Sequence, residues 1–170
     1  MKNIILLTSL LLTSNAFADP TIFGMELGKT TEKELQGLYN AHKSGVNKYT
    51  NGNMYELNSS EIEFEGLQSA TTIFDNTKKL NAVLTTFPKA KFEYLNKILS
   101  QKYNKVSETI PFVGNKSATF RDGETEITLS APHMGFEMSM NYIRDDLKQE
   151  YEKQLRAENE KKKTNEASQL

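Results

Sequence analysis

The 170-residue chain contains no cysteine and no tryptophan, and only two histidines, four prolines and nine glycines. Without cysteine there is no disulfide, no thiolate metal site and no thiol nucleophile. Glycine and proline are too few for a collagen-like or low-complexity chain. Neither sign of charge is in surplus: 21 basic and 22 acidic residues leave a net charge of -1. A nucleic-acid binder needs a basic excess for its phosphate contacts, so that class is disfavoured. No apolar run reaches the about 20 residues that a membrane-spanning helix needs. The length suits one domain or two small ones. Nine phenylalanines and seven tyrosines suffice for one modest core.

The N-terminus has the three parts of a secretory signal in order. Lys2 supplies the positive start, Ile4 to Leu12 is a short apolar stretch, and Ala16-Phe17-Ala18 presents small residues for cleavage. Cleavage is expected between Ala18 and Asp19, giving a soluble product. No cysteine follows the signal to take a lipid anchor. Lack of cysteine and a short signal suit a bacterial periplasm better than a disulfide-rich secretion route.

Thr31 and Glu34 have the spacing of a capping box, so a helix is expected from about Glu32 to Ala41, with Leu35, Leu38 and Tyr39 on one face and Gly45 ending its exit. Asn51-Gly52 is a turn signal with positive φ at both residues. Glu61-Ile62-Glu63-Phe64-Glu65 alternates strictly and predicts a strand. Ala70 to Phe74 and Leu80 to Phe87 flank a polar turn and predict a hairpin. After Pro88, Phe92, Leu95, Ile98, Leu99, Tyr103 and Val106 make the stripe of a second helix. Strands around Asp122-Gly123 form another hairpin. Met134, Phe136, Met138, Met140 and Tyr142 then alternate as the buried face of a last strand.

From Arg144 to Lys163 thirteen of twenty residues are charged, and Leu147, Tyr151 and Leu155 recur every four residues. This predicts a charged helix with a narrow apolar stripe, fraying past Ala157, before a disordered tail from Thr164. Both main helices end in Leu-x-x-x-Tyr-Asn, at Leu35 to Asn40 and Leu99 to Asn104, and strands follow each, which hints at a tandem repeat. The fold class is therefore α+β: an antiparallel sheet with two helices packed on one face and a charged C-terminal helix. The expected division is a signal peptide over 1–18, a domain over 19–143, and the charged helix and tail over 144–170.

Chemistry-bearing motifs are scarce. Gly28-Lys29-Thr30 resembles the end of a phosphate-binding loop, but Phe23 stands where its first glycine is needed. His42 and His133 are 91 residues apart and lie in no metal-ligand spacing. No G-x-S-x-G elbow is present. No catalytic residue, cofactor site or metal site is assigned. Glu61, Glu63 and Glu65, about 7 Å apart along one strand face, fit either a basic partner or cation, or a solvated and charge-protected edge. The methionine stripe fits either an adaptable binding surface or a buried sheet face.

The segment Phe23-Gly24-Met25-Glu26-Leu27-Gly28-Lys29-Thr30 leading into a capped helix resembles an opening common in small exported bacterial domains. The Phe74-to-Leu80 hairpin and the Leu99-to-Tyr103 helix end resemble later elements of the same group. Over roughly Phe23 to Ile143 the pattern is similar to β-lactamase-inhibitor-protein-like and outer-membrane-assembly-lipoprotein-like folds. The resemblance implies a non-catalytic protein-binding scaffold. The lipoprotein cysteine and the inhibitor's disulfide cysteines are missing, so neither anchoring nor inhibition carries over, and no functional residue is transferred.

The expectation is an exported, non-catalytic protein-binding module of the bacterial cell envelope. Its partner would be another envelope protein, with Glu61, Glu63, Glu65, Leu147, Tyr151 and Leu155 as candidate contacts. The alternatives are a small exported hydrolase using a carboxylate pair and a small-ligand carrier. Two carboxylates converging in a cleft would favour the hydrolase. A methionine-lined pocket would favour the carrier, and an exposed apolar patch the binder.

Overall fold

A computed structural model describes residues 19–169, so the signal-peptide expectation lies outside the described residues. A short hairpin, β1 (Thr21–Ile22) and β2 (Met25–Glu26), opens the chain. Its turn residues Phe23 and Gly24 both have positive φ, 52° and 74°. Helix α1 (Glu32–Leu38) follows, then β3 (Ala41–Val46), β4 (Asn51–Leu57), β5 (Ser69–Asp75) and β6 (Leu80–Pro88). The same order then recurs: helix α2 (Phe92–Lys102) and strands β7 (Asn104–Thr109), β8 (Lys116–Asp122), β9 (Thr125–Ala131) and β10 (Glu137–Arg144). Helix α3 (Asp145–Ala167) completes the chain.

All eight strands β3 to β10 join one antiparallel sheet in the order β3-β4-β5-β6-β10-β9-β8-β7. Each helix-plus-four-strands unit makes one half, and the two final strands, β6 and β10, meet at the centre. The architecture is α+β and tandem. The Leu-x-x-x-Tyr-Asn motif is the local reason. In both units the leucine is buried, and the tyrosine leaves the helix with extended φ, -140° at Tyr39 and -128° at Tyr103. Each tyrosine's N–H still donates to the leucine carbonyl, at 3.0 and 2.8 Å. Helix exit and strand entry are thus one device used twice.

The capping box forms as expected: Thr31 N–H donates to Glu34 at 2.7 Å, and Glu34 N–H donates to Thr31 Oγ1 at 3.3 Å. Helices α1 and α2 bury Leu35, Phe92, Leu95 and Leu99 against one sheet face. That face supplies Tyr55, Phe74, Val83, Phe87, Phe120, Ile127, Leu129, Met138, Met140 and Tyr142. Burial pushes the Tyr142 hydroxyl far above its ordinary pKa. On the opposite face, Leu147 of α3 covers Ile73 and Ala82 as a second, smaller core.

Several local expectations are corrected. Helix α1 ends at Leu38 rather than Ala41, because Tyr39 turns out of the helix, and Gly45 lies inside β3 at a register shift. Glu61 to Glu65 is not a strand. Ser59–Glu61 is a 3₁₀ turn capped by Asn58, and the chain to Gln68 is irregular, although Ile62 is buried as its apolar character demands. Val106 belongs to edge strand β7, not to a helix, and is exposed. Asn51 takes the expected positive φ of 56°, but the turn is residues 48–50 and Gly52 is already in β4. A Cβ on Gly52 would stand 2.0 Å from the Phe74 carbonyl oxygen, so glycine is required by a close backbone approach. The alternating face of the last strand begins at Met138: Met134 and Phe136 precede the paired region and are exposed.

Helix α3 continues to Ala167 rather than fraying after Ala157. Repeated ion pairs along the helix support it, including Arg156–Glu152 and Lys163–Glu160. Every described residue beyond Gln154 is exposed, and the Lys48–Glu158 pair at 3.5 Å joins two solvated side chains worth little. Ending the chain after Ala157 is therefore expected to leave the melting temperature nearly unchanged. Ending it after Ile143 removes buried Leu147 and the Arg144 ion pairs, and should cost at least about 3 kcal/mol. Thermal melts of the two truncations check this. Comparable losses would mean that the distal helix stabilises the body.

Candidate functional site

Two loops meet at one end of the sheet. The first, between β7 and β8, contains Pro111-Phe112-Val113-Gly114. The second, between β9 and β10, contains Pro132-His133-Met134-Gly135 followed by Phe136. Lys116 of β8 pairs with Ala131 of β9, which sets the loops side by side. His133 N–H donates to Asn115 Oδ1 at 2.7 Å and ties them together. Lys89 fixes the second loop from below. Its N–H donates to the Phe136 carbonyl at 2.7 Å, and its ammonium donates to the Pro132 and His133 carbonyls at 2.5 and 2.9 Å.

The loops are thus braced through backbone groups while their side chains are left to solvent. Phe112 is fully exposed, Met134 90% and Phe136 94%, with Val113 and Ile110 exposed beside them. Neither loop contains a charged residue apart from the ionisable His133. Exposed aromatics are normal singly. Five large apolar side chains left exposed on two cross-linked loops are what a contact surface presents.

Next to this tip lies the sheet face that α1 and α2 do not cover. Its register aligns hydroxyl side chains across six neighbouring strands: Thr109, Ser117, Ser130, Ser139, Thr86 and Ser69. A parallel row two residues further on, about 7 Å away, reads Ser107, Thr119, Thr128, Asn141, Leu84 and Thr71. Every member of both rows is at least partly exposed, whereas the alternate residues of the central strands are buried. No charged side chain occurs in either row. In a chain with 25% charged residues this is an open, neutral floor. Further along, the same face becomes apolar at Ile73, Leu84 and Ile143. There α3 roofs it and leaves a groove of about 440 Å³ between Leu147, Tyr151 and Tyr49.

The candidate contacts read from the sequence do not gather here. Leu147 is buried, and Tyr151 packs edge-on against Tyr49 at 5.1 Å. Leu155 is half exposed on the helix beyond them. Glu61 accepts from Asn40 N–H at 2.9 Å, from the Asn40 amide at 2.5 Å and from Asn58 at 3.1 Å. The Asn40 N–H, foremost, holds its pKa below the ordinary carboxylate value. Glu65 pairs with Lys91 at 2.9 Å, and Glu63 is exposed. The three carboxylates therefore share no face.

Of the methionines expected to line a carrier pocket, Met138 and Met140 are packed in the core and Met134 is exposed. A cleft of about 500 Å³ between β2 and α1 does present two carboxylates, Glu26 and Glu34. Both are committed: Glu26 pairs with Lys29 at 2.5 Å, and Glu34 closes the capping box. The Thr31 N–H holds Glu34 below its usual pKa, opposite to the raised value a general acid needs.

Sequence reading misses the tip. Its available signal is the pair of Pro-x-x-Gly turns, in which apolar residues occupy turn centres rather than strand positions. Gly135 N–H donates back to the Pro132 carbonyl at 3.3 Å, and Gly114 has a φ of 133°. Compared with known proteins, the chain matches no family model, no curated protein and no solved structure. No described helix is long and apolar enough to cross a membrane.

Proposed function

We propose that the protein is an exported, non-catalytic protein-binding module of the bacterial cell envelope, acting in the periplasm after cleavage between Ala18 and Asp19. The observation that carries this reading is the apolar tip of Phe112, Val113, Met134 and Phe136, held out to solvent by braced loops. Leaving these side chains in water gains the fold nothing. Burying such a cluster against a partner supplies roughly 25 cal/mol per Å² of apolar surface. Aromatic residues are also the usual anchors of interfaces. The neutral hydroxyl floor beside the tip lets a partner approach without desolvating charge. Association should accordingly depend weakly on ionic strength.

The test is affinity capture from an envelope extract with the wild-type chain and with the Phe112→Ser, Phe136→Ser double variant. Both should melt alike. The expected result is a partner protein retained by the wild type at low and high salt and lost by the variant. Identical capture by the two chains, or no partner for the wild type, sinks the reading.

A further inference from the structure

We infer that two copies of this chain pair through edge strand β7 about a two-fold axis, so that their sheets join into one. This goes beyond the protein-binding reading and does not depend on it. β7 ends the sheet and pairs with β8 alone. All six of its residues are exposed. Among the described residues it makes no backbone–backbone hydrogen bond outside the β8 ladder. Alternate residues of such an edge aim N–H and C=O outward, which offers a template to another strand.

The charges of β7 select a second copy as the occupant. Val106 is an extra residue in the ladder, since Lys105 pairs with Phe120 and Ser107 with Thr119. Residues three apart on a regular strand face opposite sides. This bulge instead puts Lys105 and Glu108 on one side, opposite the buried Phe120 and Ala118. There they form an ion pair, and Glu108 also accepts from the Asn96 amide at 2.7 Å. An axis between Val106 and Ser107 sets Lys105 of each copy opposite Glu108 of the other. Asn104 then meets Thr109, and Val106, 56% exposed, meets Ser107. Four charges alternate around the axis, and each gains a second counter-ion. Opposite charges directly across antiparallel strands stabilise the pairing, and like charges weaken it. Registers centred on Lys105 or on Glu108 set like against like and are disfavoured.

A bulge usually guards an edge. Here the axis places the two bulges opposite each other, so the extra residue of one strand is matched by that of the other. The other edge of the sheet lacks this complementarity: β3 carries His42 and Lys43 and no carboxylate. An isologous contact through β7 also closes at two copies rather than running on as a fibre. The strands run antiparallel, so the two β7–β8 loops leave the seam at its opposite ends.

Sedimentation velocity of the full chain tests the contact, up to about 1 mM, where a Kd of about 1 mM already puts half of the chains in dimers. The expected result is a monomer–dimer equilibrium, with amide exchange in β7 slowing as concentration rises. Lys105→Glu and Glu108→Lys should each weaken the dimer about tenfold or more, because two facing pairs turn from attraction to repulsion. Both should keep the wild-type circular dichroism spectrum, since an exposed pair contributes little to the single chain. Mixed in equal amounts, the two single variants should associate as the wild type does, each supplying the other's counter-charges. The Lys105→Glu, Glu108→Lys double variant should dimerise again by itself. A wild type that stays monomeric throughout, a dimer that leaves β7 exchange unchanged or that neither reversal weakens, or single variants that do not associate when mixed overturns the contact.

Discussion

Phe87→Ala is expected to destabilise the protein by about 3–5 kcal/mol, the range for deleting a buried ring. Phe87 is fully buried on β6 at the centre of the sheet. It pairs with Met138 on β10, and its ring meets that of Phe64 edge-on at 5.5 Å. The centre of the sheet is the seam between the two repeats, so a cavity there loosens both halves together. A typical domain is stable by about 5–15 kcal/mol, so much of the total is at stake. Phe136→Asp supplies the control. Phe136 is also aromatic and lies two residues before Met138, yet it is 94% exposed. Its replacement should stay within about 0.5 kcal/mol. Urea denaturation of the two variants measures both effects. Equal midpoints would mean that the faces of β6 and β10 are assigned wrongly.

Asp19→Ala is expected to cost about 3 kcal/mol, at the lower end of the range for removing one partner of a buried pair. The Asp19 carboxylate and the Arg144 guanidinium form an ion pair, and both side chains are largely buried. Asp19 Oδ1 also accepts from Glu124 N–H and from the Thr125 hydroxyl, each at 3.1 Å. One side chain thus joins the N-terminal segment to the β8–β9 turn and to the strand end where α3 begins. Gly28 makes room for it, since a Cβ there would stand 2.4 Å from Arg144 Nη1. Without Asp19 the guanidinium keeps Glu124 at 2.7 Å and Asp146 at 3.8 Å, which holds the loss below the upper limit. A thermodynamic cycle with Arg144→Met separates the pair from the packing. The double variant should be more stable than Asp19→Ala alone, because no uncompensated charge remains. Strictly additive losses would show that the two groups do not interact.

The sequence by itself determined this protein's elements and much of their order. The capping box at Thr31 and Glu34, the helical stripe from Phe92 to Leu99 and the hairpins at Asp75 and Asp122 are local. Each follows from hydrogen-bond stereochemistry or apolar period within a few residues, so it can be read without knowing the rest. The tandem plan was legible too, because Leu-x-x-x-Tyr-Asn encodes a helix exit and strand entry at both places. Period two was less dependable where pairing partners decide. Glu61 to Glu65 alternates like a strand, yet the chain turns at Asn58 and only Ile62 is buried. Met134 and Phe136 continue the alternation of β10, yet no described strand pairs with them, so their faces are not set by the sheet. Only the tertiary structure decided the sites. The apolar tip needs the β8–β9 register to bring two distant turns together. The hydroxyl floor needs six strands in alignment. The groove between Tyr49, Leu147 and Tyr151 needs α3 to cross back over the sheet. In each case the partners are remote in sequence, and no local rule of propensity or spacing joins residues that only strand pairing and helix docking make neighbours.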